Sequence, residues 1–510
     1  MLATAATGCK DFLDINTNVN SPTKVLPDAI LASALSTTAA NYNGNNPSYN
    51  HFASFAAGYW GKSGVVNGYT EERTYNYTNT FQQGLWSATY DNLNDYNLIQ
   101  TEGTANGYPR HAAIARIMKV YNFQLLVDEY GDIPYFTALQ GAANTAPTYD
   151  KAQDIYKDFI VQLNGAIADI DAAGTTGTLV GNEDIVFRGD MVKWKQFANS
   201  LKLRVLLRQA EVASLLPYVK TELAALQTAK DGFITTDVVA QPGYAQAAGQ
   251  QNPFYNRYGF TSAGSNALEQ LYQLPTNYII NQYVENKDPR VVRLYTVGGR
   301  TVAGVTTPGY IGTDLGERSP PSFTAPLVAS RFLNGGGLLK GANAPTVLML
   351  LSEHLFSKAE VEARSLGLTG VAKDDYMNGI KASFMYFYRS ATGAATSIAA
   401  ATATTAGVPE YEKYILDNAA NPKVDYTLAP SKQNVILYQK YLAMNSVAST
   451  EAWADFRRTG QPKFNISLEA TTPGKISKRL IYPLSEVSTN EKNIPAGTDQ
   501  YTPIFWDVLD

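Results

Sequence analysis

The sequence predicts a mainly α-helical protein, built as a tetratricopeptide-like scaffold of helical pairs with long irregular loop excursions and few short strands. Three observations predict it. Apolar residues recur at helical spacing in one segment after another, with turn residues between. Two long stretches, 41–83 and 231–345, break that period with Gly and Pro. Nothing resembles a flexible linker, so the 510 residues read as a single large binding domain over 21–510, preceded by a leader and tether over 1–20.

In chain order, Ala5-Ala6-Thr7-Gly8 are small residues of the kind a signal peptidase accepts, and Gly8-Cys9 resembles the end of a bacterial lipobox. Cys9 is the lipid-attachment candidate. Met1 to Thr7 is a truncated leader, shorter than the roughly 7–15 apolar residues of a secretory core, and Ala6 stands where a lipobox has leucine. Lys10, Asp11 and Asp14 follow, and acidic residues beside a lipidated cysteine resemble the signal for the outer face of the outer membrane. A polar tether then leads to a helix over 27–40.

The stretch 41–83 reads as partly helical and partly irregular, with aromatics on loops. Leu85, Trp86, Leu93 and Ile99 open a helix, and a second over 109–130 is stopped by Gly131 and Pro134. A third is expected to start at Asp150, capped reciprocally with Gln153, with Ile155, Phe159, Leu163, Ala166 and Ile170 as its buried stripe. Asp190 opens a fourth, carrying Trp194, Phe197, Leu201 and Val205, with Arg204 and Arg208 four apart. Helix pairs that each expose an apolar stripe must stack, which is the logic of helical-repeat solenoids. Further helices are expected at 346–366, 374–390, 431–446 and 449–458. Residues 231–345 read as loops and short strands, and an excursion of that length is usually functional. The Ala/Thr run 391–406 reads as an exposed loop or frayed helix end.

Composition narrows the function. Charged residues make up 17% and the net charge is −4, so the polar surface rests on neutral groups, with 33 Tyr among them. Such a surface suits uncharged, hydroxyl-rich ligands. No basic run could neutralise a row of phosphates, so no nucleic-acid partner is expected. No stretch reaches the ~18 consecutive apolar residues of a membrane span. One cysteine allows no internal disulfide, and His51, His111 and His354 lack metal-ligand spacing. No metal and no cofactor is expected.

Catalytic candidates are thin. Glu353 and His354 are adjacent, with Glu360 and Glu362 beyond, but neighbours on a helix point to different sides, and no second His stands four residues from His354. Gly335-Gly336-Gly337 lacks the Lys-Ser or Lys-Thr of a phosphate loop and reads as a turn. No catalytic residue is assigned, and no enzyme is expected.

Ordered motifs then point to a family. Tyr130-Gly131-Asp132-Ile133-Pro134-Tyr135 is followed by Pro147, Tyr149, Asp150 and Ile155-Tyr156. Gly189-Asp190, Trp194 and Phe197 through Arg204 come next, then Asp288-Pro289-Arg290, Glu451-Ala452-Trp453 with Arg457-Arg458-Thr459-Gly460, and Tyr482-Pro483 with Glu486 and Asn490. In this order they resemble the SusD/RagB family of outer-membrane nutrient-binding lipoproteins. Most of these residues have structural readings of their own: Gly131 and Pro134 end a helix, Asp132 bonds turn donors, Trp194 and Trp453 are core, and Arg457 and Arg458 pair with buried carboxylates. The resemblance implies a lipid-anchored cell-surface protein that captures glycans, or in some branches peptides. It would pass them to a SusC-like TonB-dependent outer-membrane transporter.

Aromatic rings stack on sugar faces while Asn, Gln and Arg bond hydroxyls, so two loop segments are the ligand-binding candidates. One holds Trp60, Tyr69 and Tyr75; the other holds Phe254, Tyr255, Arg257 and Tyr258. Two other functions compete with capture for transport. An all-helical glycoside hydrolase would need a carboxylate pair on the aromatic face, and a helical-repeat protein-interaction adaptor would show an apolar groove without sugar-sized pockets.

Overall fold

The computed structural model describes residues 25–508, so Cys9 and the tether lie outside the described residues. Helices form at Pro27–Tyr42, Gln83–Ala105, Pro109–Tyr130, Ala152–Ala173 and Met191–Arg208, and successive ones pack on each other. The expected stripe of Ala152–Ala173 is buried throughout, and Trp194 is wholly enclosed. Asp190 caps its helix by accepting the Lys193 amide at 3.1 Å. The later helices, Leu351–Ala363, Ala372–Tyr388, Lys432–Met444 and Ser449–Thr459, pack together and meet Met191–Arg208 through the first and the last of them. Three further helices lie outside those expected: Leu216–Leu226, Val408–Asp417, and Asn277–Glu285, which falls inside the stretch expected as loops and short strands.

Two expectations are corrected. Asp150 does not cap the third helix; its Oδ2 accepts the amides of Tyr135 and Phe136 at 2.9 and 2.8 Å. The helix entrance is held instead by Asp132, whose Oδ1 accepts the Ala152 amide at 2.9 Å. Gly131, at φ 75°, makes the sharp exit from Pro109–Tyr130 that aims Asp132 back at this entrance. Secondly, the segment expected as a helix from 346 begins as a strand. Thr346–Met349 pairs antiparallel with Val238–Ala240, because β-branched Thr346 and Val347 meet an edge supplied by the excursion, and the helix starts only at Leu351.

The excursion holds the expected short strands and turns together with three helices, Pro253–Tyr258, Asn277–Glu285 and Val291–Leu294. Trp60–Lys62 pairs antiparallel with Gln273–Pro275, and Gly298–Val302 lies between Val305–Gly309 and Leu327–Val328. The Ala/Thr run 391–406 is without helix or strand.

Where the helices meet, the core is ionic as well as apolar. Arg204 Nε donates to Glu353 at 2.8 Å, Arg208 to Glu451 at 2.5 Å, Arg457 to Glu129 at 3.2 Å, and Arg458 to Glu360 at 2.7 Å and Asp455 at 3.0 Å. All these groups are buried. Such pairs add little net stability against apolar replacements, but removing one partner strands a buried charge. The family-like Arg457-Arg458 and Glu451-Ala452-Trp453 motifs are therefore scaffold, with Trp453 fully enclosed beside them. No helix among the described residues is long and apolar enough to cross a membrane.

Candidate functional site

The pairing of Trp60–Lys62 with Gln273–Pro275 brings the two aromatic segments together. They meet chiefly as interior. Trp60 is 0% exposed, ringed by His51, Phe55, Tyr258 and Phe332 at centroid distances of 5.7, 5.9, 5.2 and 5.5 Å, and its indole N–H donates to Ser446 Oγ at 2.7 Å. Tyr258 packs on Phe254 at 4.7 Å, and its hydroxyl lies 2.7 Å from His51 Nδ1. Tyr75 is buried under the C-terminal segment, its oxygen accepting the Ser467 amide at 3.2 Å. Trp60, Tyr75 and Tyr258, expected from the sequence as ligand-stacking rings, are all buried, and in this arrangement they fasten the loops to the scaffold.

Tyr69, Arg257 and Tyr255 stand at the edge of this cluster. Tyr69 is half-buried at φ 61°, its hydroxyl 3.2 Å from Glu269 and 3.3 Å from Gln273. Arg257 donates to Glu269 at 2.8 Å, to the Asn45 carbonyl and to Asn46 Oδ1 at 3.2 Å, with its guanidinium 5.0 Å over the Tyr258 ring. Its donors are committed to loop closure. Glu72 lies beneath, 3.9 Å from His51 Nε2; burial pushes its carboxyl up to about 7, while burial and then the Arg257 charge hold His51 well below its ordinary value. Both acids of this cluster, Glu72 and Glu269, are buried. The pair does not face an open cleft in the way glycoside hydrolysis requires.

Open space lies next to the cluster. A recess of about 30 Å³ is lined by Asn43, Asn252, Phe254, Tyr255, Lys340 and Tyr386, so Phe254 and Tyr255 keep one edge on it. Tyr386 also lines a cleft of about 270 Å³ with Asp237, Met385, Arg389, Ser390 and Thr405. Asn252 is fixed here by bonds from its amide to the Ala344 carbonyl and Thr346 Oγ1, at 2.9 and 3.1 Å, while its Oδ1 caps the helix Pro253–Tyr258. Tyr255 donates to Asn334 Oδ1 at 3.2 Å. Lys340 donates to the Tyr386 and Arg389 carbonyls at 2.6 and 2.8 Å, and burial holds its amine well below its ordinary value. Arg389 pairs with Asp237 at 3.0 Å. The opening therefore combines rings, amide and hydroxyl groups with a charge pair already balanced, a set that bonds hydroxyls without demanding a net charge. Sequence reading missed Asp237, Tyr386 and Arg389. Tyr386 and Arg389 end a helix that carries no local signal for binding, and strand pairing at 238–240 is what brings Asp237 to them.

A stacked-helix scaffold that anchors one irregular face with recesses on it defines a binding-protein architecture. The sequence matches, over residues 19–483, the SusD-like family model described as starch-binding, associating with outer membrane. The chain belongs to this SusD-like family. Among solved structures it is similar to a chitin-binding protein at TM-score 0.74 and 24% identity, covering 94% of this chain and 100% of that one. A SusD-like protein from Bacteroides thetaiotaomicron is similar at TM-score 0.71 and 22% identity, covering 94% and 99%. A SusD homolog from Parabacteroides distasonis is similar at 0.72 and 20%, covering 95% and 98%. No curated protein matches the sequence.

Proposed function

We propose that this protein captures glycans at the outer surface of the outer membrane and delivers them to a SusC-like TonB-dependent transporter, without cleaving them. Family membership across most of the chain carries the reading, since that family is described as starch-binding and associating with the outer membrane. The site supports it in a second way. The cleft of about 270 Å³ at Tyr386 offers hydroxyl-bonding groups at sugar scale, with the small recess at Tyr255 opening beside it, in keeping with the low overall charge of the chain. Starch-like and chitin-like oligosaccharides are the first ligands to try. The direct test is titration of maltohexaose and chitohexaose into the soluble domain.

Surface location is proposed to depend on a lipid at Cys9, the sole cysteine, which stands just before a polar tether. Cells fed a palmitate analogue should label the full-length protein, and Cys9→Ala should abolish the label. Equal labelling of the two would sink the anchor and leave the binding reading intact.

A further inference from the structure

The helical scaffold has a cleft of its own, about 260 Å³, between Gln83–Ala105, Pro109–Tyr130 and Ala152–Ala173 and beside the turn after Tyr130. Phe136 stands at its rim with 54% of its surface exposed, edge-on to Tyr135 at 4.9 Å. A large exposed ring usually frays with its loop, but the Phe136 amide is bonded to Asp150, so the root of this ring is held.

Across the cleft, Lys119 donates to Asn97 Oδ1 at 2.9 Å and Gln100 Oε1 at 3.1 Å. Two neutral amides thus take two of its three protons. Burial, reinforced by the Arg116 charge, lowers this amine to about 8. Asp158 Oδ2 accepts from Tyr135 Oη at 2.7 Å and from Gln162 Nε2 at 3.0 Å, and among the described residues its Oδ1 takes no bond. Arg116 donates to Gln162 at 2.8 Å and to Asp169 at 2.9 Å. Its guanidinium lies over Gly165, where a Cβ would come within 2.2 Å of Nη1. Glycine inside a helix is less favourable than alanine, so this position gives up helix stability to seat the arginine.

We propose that this cleft is a second carbohydrate subsite, taking one neutral sugar ring stacked on Phe136, with its hydroxyls shared among Lys119, Asp158 and Gln162. Charge decides for a neutral ligand: Arg116 and Lys119 are matched by Asp158 and Asp169, so a bound carboxylate would add an unbalanced negative charge. Size decides for one ring, because the volume falls below the roughly 300–1,000 Å³ of pockets for drug-sized ligands. The proposal rests on the glycan reading for its ligand class, and on nothing at the loop face for its location.

The test titrates maltohexaose and chitohexaose into wild type, Phe136→Ala and Lys119→Met, with Tyr255→Ala as the loop-face control. Phe136 is exposed, so its removal leaves the fold in place, which the melting curve verifies. The expected result is a weaker second binding event in wild type that falls at least fivefold in Phe136→Ala and Lys119→Met and persists in Tyr255→Ala. Isotherms of Phe136→Ala and Lys119→Met that match wild type, with Tyr255→Ala alone impaired, overturn the subsite and leave the loop face standing. Absence of glycan binding in wild type overturns both.

Discussion

At the residue scale, burial separates rings that hold the protein together from rings that can reach a ligand. Trp60 and Tyr255 belong to the same aromatic cluster, yet only Tyr255 borders open space. Trp60→Ala removes a fully enclosed indole and should cost about 3–5 kcal/mol of stability, seen as a lower Tm, with unchanged affinity per folded molecule. Tyr255→Ala removes a ring that is itself only 9% exposed, so Tm should fall here too, but the affinity of the folded molecules for the bound oligosaccharide should also drop roughly tenfold by loss of one ring contact. An affinity lost in Trp60→Ala and kept in Tyr255→Ala would place the site at the Trp60 cluster. The sequence could announce that aromatics and amides gather in 59–75 and 252–258; it could not say which ring faces in. That depends on the register of Trp60 against Pro275 and on Ser446, nearly four hundred residues away, waiting for the indole N–H.

At the element scale, helices were legible because period and punctuation agree locally. Pro109 and Gly131 bound their helix as read, and the helix of Trp194 opens at Asp190 as read, with Asp190 as its cap. Failures came where a distant partner decided. Asp150 is drawn to the amides of Tyr135 and Phe136, so capping passes to Asp132, and Thr346–Met349 becomes a strand because Val238–Ala240 lies ready to pair. Asp132→Ala should then destabilise the protein by about 1 kcal/mol, lowering Tm by about one degree in a chain of this length. Asp150→Ala should instead loosen the turn carrying Phe136, seen as faster amide exchange at 135–136. A Tm for Asp132→Ala equal to that of wild type would return the cap to Asp150.

At the scale of the whole molecule, stacked helices welded by buried ion pairs leave one irregular face free to carry recesses. The architecture was readable from ordered motifs spread along the chain, since these mark helix ends and core contacts that only this fold brings together. The opening was not readable, because Asp237, Lys340, Tyr386 and Arg389 meet only after the excursion folds back. Low charge in the sequence and a balanced charge pair in the cleft agree on uncharged ligands. The decisive measurement is calorimetric titration of maltohexaose and chitohexaose into the soluble domain at low and high salt, with the oligosaccharide recovered and weighed by mass spectrometry. The account predicts saturable binding of at least one of them, an affinity nearly independent of salt because stacking and neutral hydrogen bonds are not screened, and a ligand recovered intact. No binding of either sugar, an affinity that collapses in salt, or a shortened ligand would contradict it.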